Sequence, residues 1–265
     1  MRILAVIITS PSYSVSGAVT AATNLSIALA NLCNIQLAIM SSNDSQITRE
    51  KLIIKNFKCK NILSKISKIT PNQVINSFWN SDIDKYIEEY KPDIVHFHNP
   101  VPPLSLWKLS KICIKNKIPY VISSHGFVEM FNYKKSFNIS LLKSIAINPL
   151  VMTPFLKTLK KASGIFLLSP NEKPILEKNI KFNKNISIIP NGYDKKYNNK
   201  ISGDNIEKCI KKFNIKKTKP TFLFMGNHTY NKGIDIILNS LKYIEKDFQV
   251  LIGGKIRSKK ENELL

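Results

Sequence analysis

The chain opens on Met1-Arg-Ile-Leu-Ala-Val-Ile-Ile-Thr9, and the reading of this stretch decides the rest. One positive charge ahead of a short apolar run fits a secretory leader as well as a buried strand. The next twenty residues separate the two. A turn containing Gly17 is succeeded by Val19, Ala22, Leu25, Leu29 and Leu32, which recur at three- and four-residue spacing, the pattern of one apolar helix face. The opening stretch is therefore read as a buried strand over Ile3 to Ile8, and strand-turn-helix becomes the unit to look for downstream.

The unit recurs. Apolar runs at Ile35 to Met40, Ile94 to Phe97, Tyr120 to Ser123, Gly164 to Leu168 and Ile186 to Ile189 alternate with longer helical patterns. Near-continuous β-branched runs suit strands covered on both faces, and the intervening segments are long enough for crossover helices. This predicts an α/β fold with a parallel, doubly wound, Rossmann-like sheet. One predicted helix, Asp82 to Tyr90, has Ser81 as its cap and stops before Lys91-Pro92, because proline disfavours helix in the residue before it.

A polar stretch from Gly192 to Thr218, with a Lys-rich amphipathic segment over Ile206 to Phe213, then separates this sheet from a new strand at Thr221 to Met225. The domain boundary is placed there, giving a first domain over 1–195 and a linker with an incomplete second domain over 196–265. The second domain reads as strand, the loop Gly226 to Gly233, a helix over Ile234 to Tyr243, a strand over Gln249 to Ile252, Gly253-Gly254 and the opening of another helix. A doubly wound domain takes about five or six strands, so roughly 100 further residues are expected to complete it.

Composition bounds the function. With 43% hydrophobic and 22% charged residues in 265, the chain has an ordinary globular balance. Its net charge of +22 raises the question of a polyanionic partner. Yet only Arg2, Arg49 and Arg257 are arginines, and the lysine excess accompanies equally abundant isoleucine and asparagine. Base reading favours the planar fork of arginine over the point charge of lysine, so no nucleic-acid partner is expected. Cys33, Cys59, Cys113 and Cys209 lie far apart and read as reduced, cytosolic thiols. No run approaches the ~18 apolar residues that span a bilayer.

Several residues fall where such folds carry chemistry. His125 ends a strand and is followed by Gly126, at the carboxyl end of a parallel sheet where ligands bind. Near a departing phosphate, a histidine can donate or accept a hydrogen bond as charge develops. Gly226 to Gly233 lies between strand and helix, where free amides and a positive dipole end meet an anion, and Lys232 adds a full charge. His96 and His98 share one strand face and could form a metal pair, but no third ligand stands at suitable spacing, so they are placed near an acceptor. Asp82-Ile-Asp84 imitates a metal-binding signature, yet acids in a first helical turn simply suit the dipole. Ser169 and Glu172 stand at another strand end, with sugar contact and helix capping as their two readings.

Taken in order, Gly17-Ala18, Pro92-Asp-Ile-Val-His-Phe-His98, Ser124-His-Gly126, Ser163-Gly-Ile-Phe-Leu-Leu-Ser169, Ile189-Pro-Asn-Gly-Tyr-Asp194 and Phe224-Met-Gly226 leading to Lys232-Gly233 resemble the family 4 glycosyltransferases of the GT-B fold. The resemblance implies a retaining, metal-independent transfer of sugar from a nucleotide diphosphate donor. It implies an acceptor held mainly on the first Rossmann-like domain and a donor mainly on the second. By this likeness His125 matches the active-site histidine, and Gly17 belongs to the loop that meets acceptor and donor phosphates. Gly226 and Lys232 belong to the diphosphate loop, where the family usually has an arginine at the position of Asn227. The family's two later glutamates, which bracket the donor sugar, have no counterpart, since Glu261 and Glu263 lie in the wrong segment. The 265-residue chain is accordingly expected to bind nucleotide sugar weakly and to turn over little.

One charged feature stands apart from the background. From Met130 to Asn171 there is no Asp or Glu, while Lys134, Lys135, Lys143, Lys157, Lys160 and Lys161 accompany Phe137, Leu141, Leu142, Ile145, Leu150, Val151, Phe155 and Leu156. A basic, apolar helix can lie on an anionic leaflet, and it can equally be a core helix with a solvated lysine face. The first reading suits a lipid-linked or glycan acceptor of cell-surface polysaccharide synthesis at the inner face of the membrane. Its rival is a non-catalytic remnant that binds acceptor or membrane surface.

Overall fold

The computed structural model of the chain describes residues 1–11, 16–66, 72–126, 130–132, 145, 147–182, 184–193, 195–228 and 232–254. Outside them lie Lys134, Lys135, Lys143, Phe137, Leu141 and Leu142 of the basic segment, and the helix expected after Gly254. The chain divides into two units, Met1–Asp194 and Lys195–Leu265.

The first unit is built on one sheet. Its strands are β1 (Arg2–Ile7), β2 (Asn34–Ser41), β3 (Ser45–Arg49), β4 (Leu52–Lys58), β5 (Ile94–His98), β6 (Tyr120–Ser123), β7 (Gly164–Leu167) and β8 (Asn185–Ile188). They lie in the order β3-β4-β2-β1-β5-β6-β7-β8. Every neighbouring pair is parallel except β3 against β4. The winding reverses between β1 and β5, which makes the carboxyl ends of these two strands the switch point where open α/β sheets bind ligands.

The helices are α1 (Gly17–Ala30), the single turn α2 (Asn72–Ile75), α3 (Ile83–Tyr90), α4 (Pro103–Lys115), α5 (Thr153–Lys161) and α6 (Glu172–Asn179). The inner strands of the sheet are covered on both faces, as their apolar pattern requires. Leu4, Val6, Phe97, Ile122 and Ile165 pack into the cluster that contains Ile87 of α3, Leu106 and Leu109 of α4, Phe155 of α5 and Leu176 of α6. Ala5, Ile7, Leu37 and Ile54 pack into the other, with Ala22 of α1. Leu4 to Ile8 are at most 1% exposed, and each large aliphatic side chain so buried stabilises the fold by about 1.5–3 kcal/mol.

The expected face of α1 holds at Val19, Ala22 and Leu29, which lie in or against the second cluster, and fails at its two other leucines. Leu25 is 39% exposed and Leu32, beyond the helix end, 83%, while Ala22, Thr23 and Ser26 are buried. Small residues let the helix approach the sheet closely, and the Ser26 hydroxyl is satisfied by donating to Ala22 O at 2.8 Å. Ser81 is not the cap of α3. That position belongs to Asp82, without a side-chain cap bond, and Ser81 Oγ is buried without a partner among the described residues. The helix does end before Pro92, with Lys91 in a left-handed conformation. Asp82 pairs with Lys85 at 3.0 Å and Asp84 with Lys108 at 2.5 Å, ordinary ion pairs of a helix start.

In the second unit, α7 (Gly203–Lys212) precedes the parallel pair β9 (Thr221–Met225) and β10 (Gln249–Gly253), with α8 (Ile234–Leu241) between them in sequence. The ends of the two strands meet closely. Gly226 N donates to Gly253 O at 2.9 Å. A Cβ on Gly254, whose φ is +153°, would lie 1.6 Å from Gly226 O, so only glycine fits there.

Candidate active site

The end of β5 is tied to the end of β1 in both directions. Ile8 N donates to His98 O at 3.3 Å, and Asn99 Nδ2 donates to Ile8 O at 3.0 Å and to Val101 O at 2.8 Å. Asn99 takes a left-handed φ of 67°, which asparagine tolerates, and so turns the chain directly after His98. The strands of the switch point thus end in one fixed frame.

Three histidines gather in that frame. His96 and His98 point to the same side of β5, and their rings lie 3.9 Å apart between centroids. His96 Nε2 is 2.8 Å from Ser123 Oγ on β6, and the edge of Phe166 on β7 closes over the same ring at 5.4 Å. His98 Nδ1 is 3.4 Å from His125 Nε2. His96 and His98 are buried and His125 is half-buried.

Burial sets their charge. Desolvation, with the charge of His125 as a lesser cause, pushes His96 down to about 3. Desolvation holds His98 well below the ordinary histidine range, helped by the charges of His96 and His125. His125 is lowered by desolvation alone. At neutral pH the cluster is uncharged, and each ring carries one donor nitrogen and one acceptor nitrogen. Only His125 combines partial exposure with a hydrogen-bonding ring. His96 and His98, expected to line an acceptor surface, are its buried support in this unit.

His125 itself has a left-handed φ of 42°, and Gly126 continues the turn at 130°. A Cβ added to Gly126 would meet nothing within 4 Å, so it is the backbone angle that calls for glycine. Gly17 is different. It is the first residue of α1, is exposed, and an added Cβ would also meet nothing within 4 Å, while the cap bond runs from Val19 N to Ser16 Oγ at 3.3 Å. Nothing in the packing of the described residues demands a glycine at that helix start.

In the second unit, Gly226 and Asn227 are half-buried and Lys232 is exposed. The structure brings Gly226 and Lys232 together, since a Cβ on Gly226 would stand 3.7 Å from Lys232 Cγ. Gly233, at φ 72°, caps α8 without a side-chain bond. Among the described residues no group of three or more His, Cys, Asp or Glu is placed to hold a metal ion.

A family model described as Glycosyltransferase Family 4 matches residues 15–197, more than half of the chain. The chain belongs to glycosyltransferase family 4. The match runs over every strand of the first unit after β1, and over Gly17, His96, His98, His125 and Gly126. No curated protein matches the chain.

Among solved structures the chain is similar to sucrose-phosphate synthase from Thermosynechococcus elongatus, at 15% identity and a TM-score of 0.71, covering 100% of this chain and 66% of that one. It is similar to the S. aureus MnaA co-structure with UDP, at 15% identity and 0.53, covering 100% and 64%. It is also similar to a UDP-glucosyltransferase from Polygonum tinctorium, at 9% identity and 0.56, covering 99% and 69%. At such identities the likeness concerns the fold, which is of the GT-B type. The chain spans about two thirds of the length of the structures it matches.

Two features of this candidate site carry no signal in the sequence. Ser124 is fully buried and donates through Oγ to Glu172 Oε2 at 2.6 Å. Asn99 ties the switch-point strands together. Neither could be found locally, since the partners stand 48 and 91 residues apart.

Proposed function

We propose that the chain supplies the acceptor-side unit and the opening of the donor-side unit of a retaining glycosyltransferase. The enzyme moves a sugar from a nucleotide diphosphate sugar to a glycan or lipid-linked acceptor of the cell-surface polysaccharide type, with no metal ion. The observation that carries this reading is the placement of His125, a neutral, half-buried imidazole on a left-handed turn at the ligand-binding end of the sheet. A neutral imidazole there can accept a proton from an attacking hydroxyl or donate to an oxygen that gains charge. Gly126 leaves open space directly after it, with His96 and His98 behind.

For the donor, the amide of Asn227 and the ammonium of Lys232 serve the diphosphate, beside a Gly226 whose own N–H is engaged by Gly253 O. Asn227 donates hydrogen bonds but neutralises no phosphate charge, so binding by this chain is weak. Two of the structural neighbours, the MnaA complex with UDP and the UDP-glucosyltransferase, make a uridine diphosphate sugar the first donor to test. Titrating UDP to millimolar concentration into the isotope-labelled chain should move the amide signal of Asn227 and the side-chain signals of Lys232. Spectra that stay unchanged throughout would sink the proposal.

A contact with an anionic membrane surface is part of the same reading. In the described part of the basic segment, Ile145 is 70% and Leu150 54% exposed, and Lys157, Lys160 and Lys161 of α5 face solvent while Phe155 and Leu159 hold the helix to the core. No helix among the described residues is long and apolar enough to cross a membrane. We place the protein in the cytoplasm at the inner membrane face. Sedimentation with phosphatidylserine vesicles should fall with added salt and with neutralisation of the three lysines. Vesicle binding without any response to UDP would favour the non-catalytic remnant instead.

A further inference from the structure

His125 stands on a turn that a side-chain-bearing residue does not hold unaided, at φ 42°. Left-handed non-glycine residues persist where their surroundings fix the chain on either side. The residue directly before it is buried and held by two hydrogen bonds. Ser124 is 0% exposed, its N–H donates to Phe166 O at 2.9 Å, and its hydroxyl donates to Glu172 Oε2 at 2.6 Å. The same carboxylate oxygen accepts Leu168 N–H at 3.3 Å.

Glu172 is itself unusual. It is 7% exposed, and among the described residues its carboxylate meets no cation. It begins α6, where the helix dipole favours a negative charge, and both hydrogen bonds converge on one of its oxygens. A buried carboxylate is costly unless hydrogen-bonded, and here the donors are the strand end before His125 and the chain leaving β7.

We infer that Glu172 is a positioning residue for His125. Its Oε2 holds Ser124 against β7 and thereby sets the left-handed turn that presents the imidazole. The inference rests on reading His125 as the catalytic histidine, and it separates Glu172 from a sugar-contacting role. A positioning oxygen can be replaced by the amide oxygen of glutamine, which accepts the same two hydrogen bonds. A carboxylate that must be charged toward a substrate cannot.

The test uses the whole chain, uniformly isotope-labelled, observed by NMR without any donor. In E172Q the ring signals of His125 and the amide signal of Gly126 should stay where they are in the unaltered chain. In E172A and S124A both sets should shift, while the amide signals of β2 in the same unit stay in place and report an intact fold. If E172A does not fold, S124A decides alone. Unmoved His125 signals in S124A overturn the inference, and so does an E172Q chain displaced as far as E172A. Because no donor is present, a chain that never responds to UDP yet shows this pattern loses the proposed function and keeps the clamp.

Discussion

His98 Nδ1 lies 3.4 Å from His125 Nε2, so a fully buried imidazole holds one ring nitrogen of a half-buried one. Both rings are neutral, and one of the facing nitrogens must carry the hydrogen that the other accepts. His98 therefore decides which tautomer His125 turns outward. Replacing His98 by phenylalanine should leave His125 as a mixture of tautomers, read from its ring nitrogen shifts. Asparagine, whose amide reaches a place close to that of Nδ1, should restore a single form. A single tautomer in the phenylalanine variant would contradict this.

The pH dependence arises from the same burial. His96 sits near 3 when folded against an ordinary value of 6.5. Between those values the unfolded chain binds the extra proton, so stability is complete above about 6.5 and declines as pH falls toward about 3. Each such histidine contributes a slope of at most ~1.4 kcal/mol per pH unit. Denaturant unfolding from pH 7 to pH 4 should show the decline, and His96→Gln, which can still reach Ser123, should make it shallower. Equal slopes in the two proteins would mean that His96 does not carry this effect.

At the diphosphate loop, Asn227→Arg adds the charge that asparagine lacks. A charged, bidentate contact to phosphate should tighten UDP binding about tenfold, as measured by calorimetry. An unchanged affinity would show that position 227 does not face the phosphates.

Gly254→Ala should break the second unit where its strand ends meet. The added carbon would overlap Gly226 O at 1.6 Å, so β10 must move and the bond from Gly226 N to Gly253 O must go. The cost is about 3 kcal/mol or more. Hydrogen exchange at the Gly226 amide should lose its protection while amides of β1 keep theirs. Retained protection at Gly226 would contradict the close approach.

The parallel sheet is legible in the sequence because β1, β2 and β7 are near-continuous apolar runs, a pattern that suits strands covered on both faces. The hairpin of β3 and β4 is not. Ser45 to Arg49 is polar and wholly exposed, so it leaves no alternation to read. Spacing locates the helix after β1 and most of its buried side, but it counts Leu25 in and leaves Thr23 and Ser26 out, because leucine outweighs threonine and serine in any apolar pattern. Close packing against a sheet selects the small residues instead. In the site, His125-Gly126 can be found from its place at a strand end. The clamp from Glu172 cannot, because a hydrogen bond across 48 residues exists only once the sheet has brought α6 beside β6.

The antiparallel strand has one more effect. β3 stands at the border of the sheet, runs against its neighbour and carries Ser45, Gln46, Thr48 and Arg49 around the single apolar side chain of Ile47. A second molecule offering a strand to that border would meet a short, polar rim instead of a long apolar one. At this one border the sheet gives an incoming strand little apolar surface to pair with, whereas the opposite border, β8, exposes Ile188.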